Sequence, residues 1–156
     1  MQRHAAVMAF GALFASTVLV FSAGAGNEEA VKKDLAVLKG AWAVISVEKD
    51  GKKLPDAQLK ALVVRFEENG RASGARGDNT LFEATFRIDP TKTPKRIDAV
   101  QTSEGENKGK ATPGIYEVKG DTLRTCIAEP GKERPTAFSA TPGSGYTLRV
   151  YQRVMK

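Results

Sequence analysis

The chain has one histidine, one cysteine and one tryptophan. The histidine is His4, so the chain beyond residue 25 holds no imidazole at all. That excludes Ser-His-Asp and Cys-His catalysis and histidine-held metals there. No metal, no cofactor and no enzymatic activity are therefore expected. The single cysteine, Cys126, has no partner for a disulfide within the chain. It lies in the strand-like stretch Thr122 to Ala128, where a lone thiol acts as a small buried hydrophobe. A concentrated basic run interleaved with aromatics is also missing. The net charge of +6 is carried by scattered residues, Lys92, Lys95, Arg96, Lys108, Lys110, Lys132, Arg134, Arg149, Arg153 and Lys156 among them. A nucleic-acid role needs a patch, so none is expected. Loose attraction to an anionic polymer or surface remains open.

Long apolar runs are confined to the beginning. Ala5 to Val20 is almost wholly apolar, and Phe21-Ser22-Ala23-Gly24-Ala25 turns small. With Arg3 ahead of it and Ala23-x-Ala25 as a cleavage site, this reads as a signal peptide, residues 1–25. An uncleaved anchor is the other reading, since the run is about long enough to cross a bilayer; the small residues at its end favour cleavage. No cysteine stands near the site, which argues against a lipoprotein. The product is expected to be exported, periplasmic or secreted, with no stable membrane insertion after cleavage. Residues 26–156 form a single domain, enough for one core.

Residues 27–39 read as a helix, with Asn27 as its cap and Val31, Leu35 and Leu38 on one stripe. Gly40 ends it. Short strands follow: Trp42 to Glu48, Leu62 to Glu67, Leu81 to Ile88, Arg96 to Gln101, Gly114 to Val118, Thr122 to Ala128, Thr136 to Ser139 and Tyr146 to Val154. Pro55 to Lys60 reads as one helical turn. The glycine-rich stretch 69–79 and residues 102–110 read as loops. About eight strands at this spacing, without helices between them, define an all-β fold. The expectation is an eight-stranded antiparallel, lipocalin-like barrel with a short N-terminal helix.

Three groups of residues carry a resemblance. They are Leu38-Lys39-Gly40-Ala41-Trp42 with Asp50-Gly51-Lys52; Asp89-Pro90-Thr91-Lys92-Thr93-Pro94-Lys95 with Asn107-Lys108-Gly109-Lys110; and Gly114 through Leu123 with Cys126, Glu129-Pro130-Gly131-Lys132 and Arg134-Pro135. Together they resemble a family of small exported domains, abundant in planctomycete bacteria and of unknown function, regarded as lipocalin-like. The resemblance covers about residues 36–154 and implies a fold without implying chemistry. Gly40-x-Trp42 also resembles the Gly-x-Trp of the first lipocalin strand. That implies Trp42 closing one end of the barrel, with Arg153 or Arg149 of the last strand packed across it. Simple alternation, by contrast, turns Leu148 and Val150 inward and both arginines outward.

The function follows from the apolar interior. Trp42, Val44, Leu62, Val64, Phe66, Phe82, Phe86, Ile97, Tyr116, Leu123 and Leu148 are its expected lining. A small apolar or amphipathic ligand would lie against Phe66, Phe82, Phe86 and Tyr116, with the loops 69–79 and 102–110 shaping the mouth. The alternative is a closed scaffold whose basic loops bind an envelope protein or anionic polymer through Lys92, Lys95, Lys108, Lys110, Lys132 and Arg134. Paired acids for glycoside hydrolysis are not expected, because Glu67 and Glu83 fall on polar strand faces.

Overall fold

The computed structural model describes residues 23–155. The expected signal peptide lies outside them except for Ala23 to Ala25.

Helix α1 spans Ala23–Leu38. It starts four residues earlier than expected, so Asn27 sits inside it and caps nothing. Gly40 then takes φ +124°, a conformation that favours glycine. No neighbouring atom crowds its missing Cβ. The glycine of Gly-x-Trp is therefore there to turn the chain from helix into strand.

The strands are β1 Gly40–Lys49, β2 Lys52–Lys53, β3 Leu62–Phe66, β4 Arg71–Arg76, β5 Asn79–Asp89, β6 Lys95–Gln101, β7 Ala111–Lys119, β8 Thr122–Ala128 and β9 Tyr146–Arg153. A four-residue helix, α2 (Asp56–Leu59), follows β2. Each strand pairs antiparallel with the next one around the wall, and β9 returns to pair with β1. The result is a closed eight-stranded antiparallel barrel. β2 is an extra strand hung on the end of β1.

The expected number of barrel strands is right, but two assignments need correction. The stretch 69–79 is not a loop: it contains β4, paired on both sides. Its Arg-Ala-Ser-Gly-Ala-Arg sequence lacks the branched residues that mark strands. The smallness has a packing reason. Gly74 lies opposite Phe82, and a Cβ there would fall 2.1 Å from the Phe82 ring. Conversely, Thr136 to Ser139 is not a strand. It belongs to a strap, residues 129–145, laid over the outside of the wall.

That strap corrects a third expectation. Thr125 and Tyr151 share a hydrogen bond, and both are buried. Arg149 lies opposite Thr125, and Arg153 opposite Trp42. Side chains alternate along a strand, so Arg149, Tyr151 and Arg153 face inward, and Leu148 and Val150 face out. Leu148 lies opposite Cys126 on the outer wall. There the strap covers the wall: Pro135 and Ala140 are buried, and the Cys126 thiol donates to the Ser139 carbonyl at 3.4 Å. The Arg124 guanidinium stacks on Phe138 at 4.3 Å. Arg134 donates to the carbonyl oxygens of Gly114 and Ile97 and pairs with Asp98 at 2.8 Å. Apolar residues on β8 and β9 therefore mark two buried faces.

The barrel has two unlike ends. At one end, short turns join β3 to β4, β5 to β6 and β7 to β8, Arg153 ends β9, and α1 packs across them. At the other, β1 and β3 are joined by residues 50–61, β6 and β7 by 102–110, and β8 and β9 by 129–145.

Candidate functional site

At the helix end, the last carbonyls of α1 have no partner within the helix. The Trp42 indole N–H donates to the Leu38 carbonyl at 2.8 Å, and Arg153 Nη2 donates to the Val37 carbonyl at 3.1 Å. The Arg153 guanidinium also lies 4.1 Å from the Trp42 ring centroid and bonds Asp121 at 3.1 Å. A cation at a helix C-terminus is favoured by the helix dipole, and its position over the indole adds a cation–π contact. Trp42, fully buried, and Arg153 are thus one assembly that fastens the helix to the barrel.

A second fastening lies one turn further back. Asp34 accepts from the Tyr116 hydroxyl at 2.8 Å and pairs with Lys95 at 2.6 Å. Burial, and then the Asp34 carboxylate, push the Tyr116 hydroxyl far above the usual phenol range. The sequence reading missed Asp34. The signal was present, because residues 31, 34, 35 and 38 share one helix stripe and an acid on an apolar stripe needs a buried partner.

The four expected ligand-contacting residues are divided by this arrangement. Phe66, Phe86 and Tyr116 are buried at the helix end. Phe66 and Phe86 meet edge-to-face, with centroids 5.3 Å apart. These three pack into one core with Leu38, Trp42, Ile88 and Leu123, which Val31 and Leu35 join from the helix. Phe82 packs against this core from nearer the loop end, half-buried over Gly74. Of the expected mouth loops, 102–110 does lie at the loop end. The stretch 69–79 does not form such a loop, being mostly β4. The segment that reaches the loop-end core is 50–61, through Leu54 and Leu59.

Going around the loop-end half, the register turns Ala84, Ala99, Gln101, Thr112, Thr125 and Arg149 inward. Val47, Leu62, Phe82 and Ile127, also turned inward, pack among these small and polar residues as part of the same core.

The basic loop residues also divide. Lys95 pairs with Asp34, Lys108 with Glu104, and Arg134 with Asp98. Lys92, Lys110 and Lys132 are exposed and make no ion pair with the described residues. Of the three, Lys92 lines a cleft of about 290 Å³ with Pro90, Pro94, Tyr116 and Phe138. Among the described residues, no helix is long and apolar enough to cross a membrane, and no three potential ligand residues group to hold a metal ion.

No family model, no curated protein and no solved structure matches this chain. What the structure defines is a class: a closed, helix-capped, antiparallel eight-stranded barrel.

Proposed function

We propose that this chain is an exported, non-catalytic, lipocalin-like domain that binds a small amphipathic ligand in the loop-end half of its barrel. The family of small exported planctomycete domains that its motifs resemble is its proposed home. Residues 1–25 serve as the signal peptide, and the domain acts in the periplasm or outside the cell.

The observation that carries this reading is the uneven interior. Aromatic and large aliphatic side chains fill the helix end. The opposite half mixes Ala84, Ala99, Gln101, Thr112 and Thr125 with Val47, Leu62, Phe82 and Ile127, so polar contacts lie beside apolar ones. An eight-stranded barrel is just wide enough either to be filled or to hold one small ligand. Phe82 supplies an apolar contact there. Phe66, Phe86 and Tyr116 form the floor and the helix lock of the barrel beneath that ligand.

The test is native mass spectrometry of protein purified without detergent, together with titration of an environment-sensitive apolar fluorophore. A co-purified small molecule, or saturable 1:1 fluorophore binding lost in Phe82→Asp, is expected. Absence of both would remove the reading.

The filled helix end favours one other reading, a scaffold that docks an envelope protein or anionic polymer through its basic loops. Its available contacts are Lys92, Lys110 and Lys132, since the other three cations are already paired. Salt-sensitive retention on an anionic polymer, lost when these three lysines become glutamine, is the outcome that reading requires.

A further inference from the structure

The outer wall of the barrel is finished differently on its two sides. Over β7 to β9 the strap lies on it, and Ile115 and Cys126 beneath are buried. Over β1 and β3 the described residues leave an open hollow of about 540 Å³. Ala43 and Val63, opposite each other across the two strands, line it. Their chain neighbours Trp42, Val44 and Val64 are buried in the core, which fixes Ala43 and Val63 as outward-facing.

A bulge places a large side chain at the edge of this hollow. Val44 pairs with Tyr151 and Ser46 with Val150, so Ile45 between them has no partner on β9. A bulge re-aims the extra side chain. Ile45 is 51% exposed. Beside it the hollow is lined by small residues, Ala43, Ala57 and Ala61. The rim carries Asp56, the first residue of α2, and Lys60 one turn later. Both are exposed, and neither makes an ion pair with the described residues.

A knob beside a hole, with one acid and one base on the rim, is complementary to itself. In a two-fold contact each residue meets a different residue of the other copy, and the contact is repeated in reverse. Ile45 of each copy then enters the hollow of the other, and Asp56 of each meets Lys60 of the other. The same rim is a poor match for a lipid surface, since its two charges cancel and anionic bilayers attract clustered cations.

We propose that this face joins two copies of the chain in an isologous dimer, with Ile45 as the reciprocal knob and Asp56–Lys60 as the reciprocal ion pairs. The barrel interior takes no part in it, so the dimer and the ligand-binding reading stand or fall separately. The patch is small, and the association is accordingly weak and concentration-dependent.

The test is sedimentation velocity of the purified protein across a wide concentration range. Wild-type protein is expected to pass reversibly from monomer to dimer. Ile45→Thr should weaken the dimer about tenfold or more, because both copies lose apolar contact. Asp56→Lys and Lys60→Asp should each weaken it about tenfold, since each reversal sets like charges against each other twice. The double variant Asp56→Lys/Lys60→Asp should restore it. An equimolar mixture of the two single variants should also associate, because each then meets its opposite.

A monomer at every concentration overturns the proposal. So does a dimer indifferent to Ile45→Thr, which uses another face, or one that the double reversal fails to restore. Monomeric protein that floats with neutral phosphatidylcholine vesicles, and ceases to as Ile45→Lys, would give the face to lipid instead. At dilutions where wild type is monomeric, all variants should melt with it, because the three side chains are largely exposed. A lower melting temperature for Ile45→Thr under those conditions would assign Ile45 to the barrel's own packing and overturn the proposal.

Discussion

At its helix end the barrel is closed by groups that satisfy one another. Trp42 and Arg153 take up the last carbonyls of α1, Asp34 ties the helix to Tyr116 and Lys95, and Phe66 and Phe86 fill the space beneath. At the loop end, Leu54 and Leu59 of the 50–61 segment reach inward over a wall that mixes Ala84, Ala99, Gln101, Thr112 and Thr125 with Val47, Leu62, Phe82 and Ile127. The same eight strands build both ends. Satisfied polar groups and close packing make a rigid cap. The loop end, with its longer connections, mixes polar with apolar inward side chains.

Substitutions that fall unequally on the two ends break or sharpen this contrast. Trp42→Ala removes a fully buried indole and the hydrogen bond to Leu38, and should cost about 3–5 kcal/mol in urea unfolding. A loss below about 1 kcal/mol would show that the helix end is not the stable one. Phe86→Ala, also at the helix end, should cost about 3–4 kcal/mol, whereas Phe82→Ala should cost about 1–2 kcal/mol because its ring is only half-buried. Equal losses would erase the energetic distinction between the two ends.

Tyr116→Phe should cost about 1 kcal/mol at neutral pH, the worth of one part-buried hydrogen bond. It also carries a pH signature. The Tyr116 hydroxyl titrates higher in the folded protein than its unfolded value of about 10. Its contribution is therefore complete below pH about 10 and is lost as pH rises further, because the unfolded chain then releases a proton that the folded one retains. Wild-type melting temperature should fall more steeply than that of Tyr116→Phe above pH 10, and parallel curves would rule out this lock. At the loop end, Lys108→Ala breaks only an exposed pair with Glu104 and should change stability by less than about 0.5 kcal/mol in the same unfolding assay.

Several features of the fold were legible because the residues that make them act locally. The alternation of Phe82, Ala84, Phe86 and Ile88 marks β5, and the Lys119-Gly120-Asp121 turn marks the β7–β8 hairpin. Gly40 had to be glycine where a helix turns into a strand. β4 was illegible because its inward residues are small to make room for Phe82, a neighbour across the sheet. The candidate site was legible only in part. All four aromatic positions stand out in the sequence, but not their division: Phe66, Phe86 and Tyr116 lie at the helix end and Phe82 nearer the loop end. Arg149 was read as facing outward, because Leu148 and Val150 are apolar and the strap that covers them is remote in sequence.

The sequence by itself determined an antiparallel barrel with Trp42 at the exit of a helix, because strand period, turn residues and helix stops are properties of short segments. Only the tertiary structure decided which face of each strand is the inside. Alternation offers two phases and marks burial on either. In β9 the outer face is buried as well, and it is closure against β1, opposite Trp42 and Val47, that sends Arg149 and Arg153 inward.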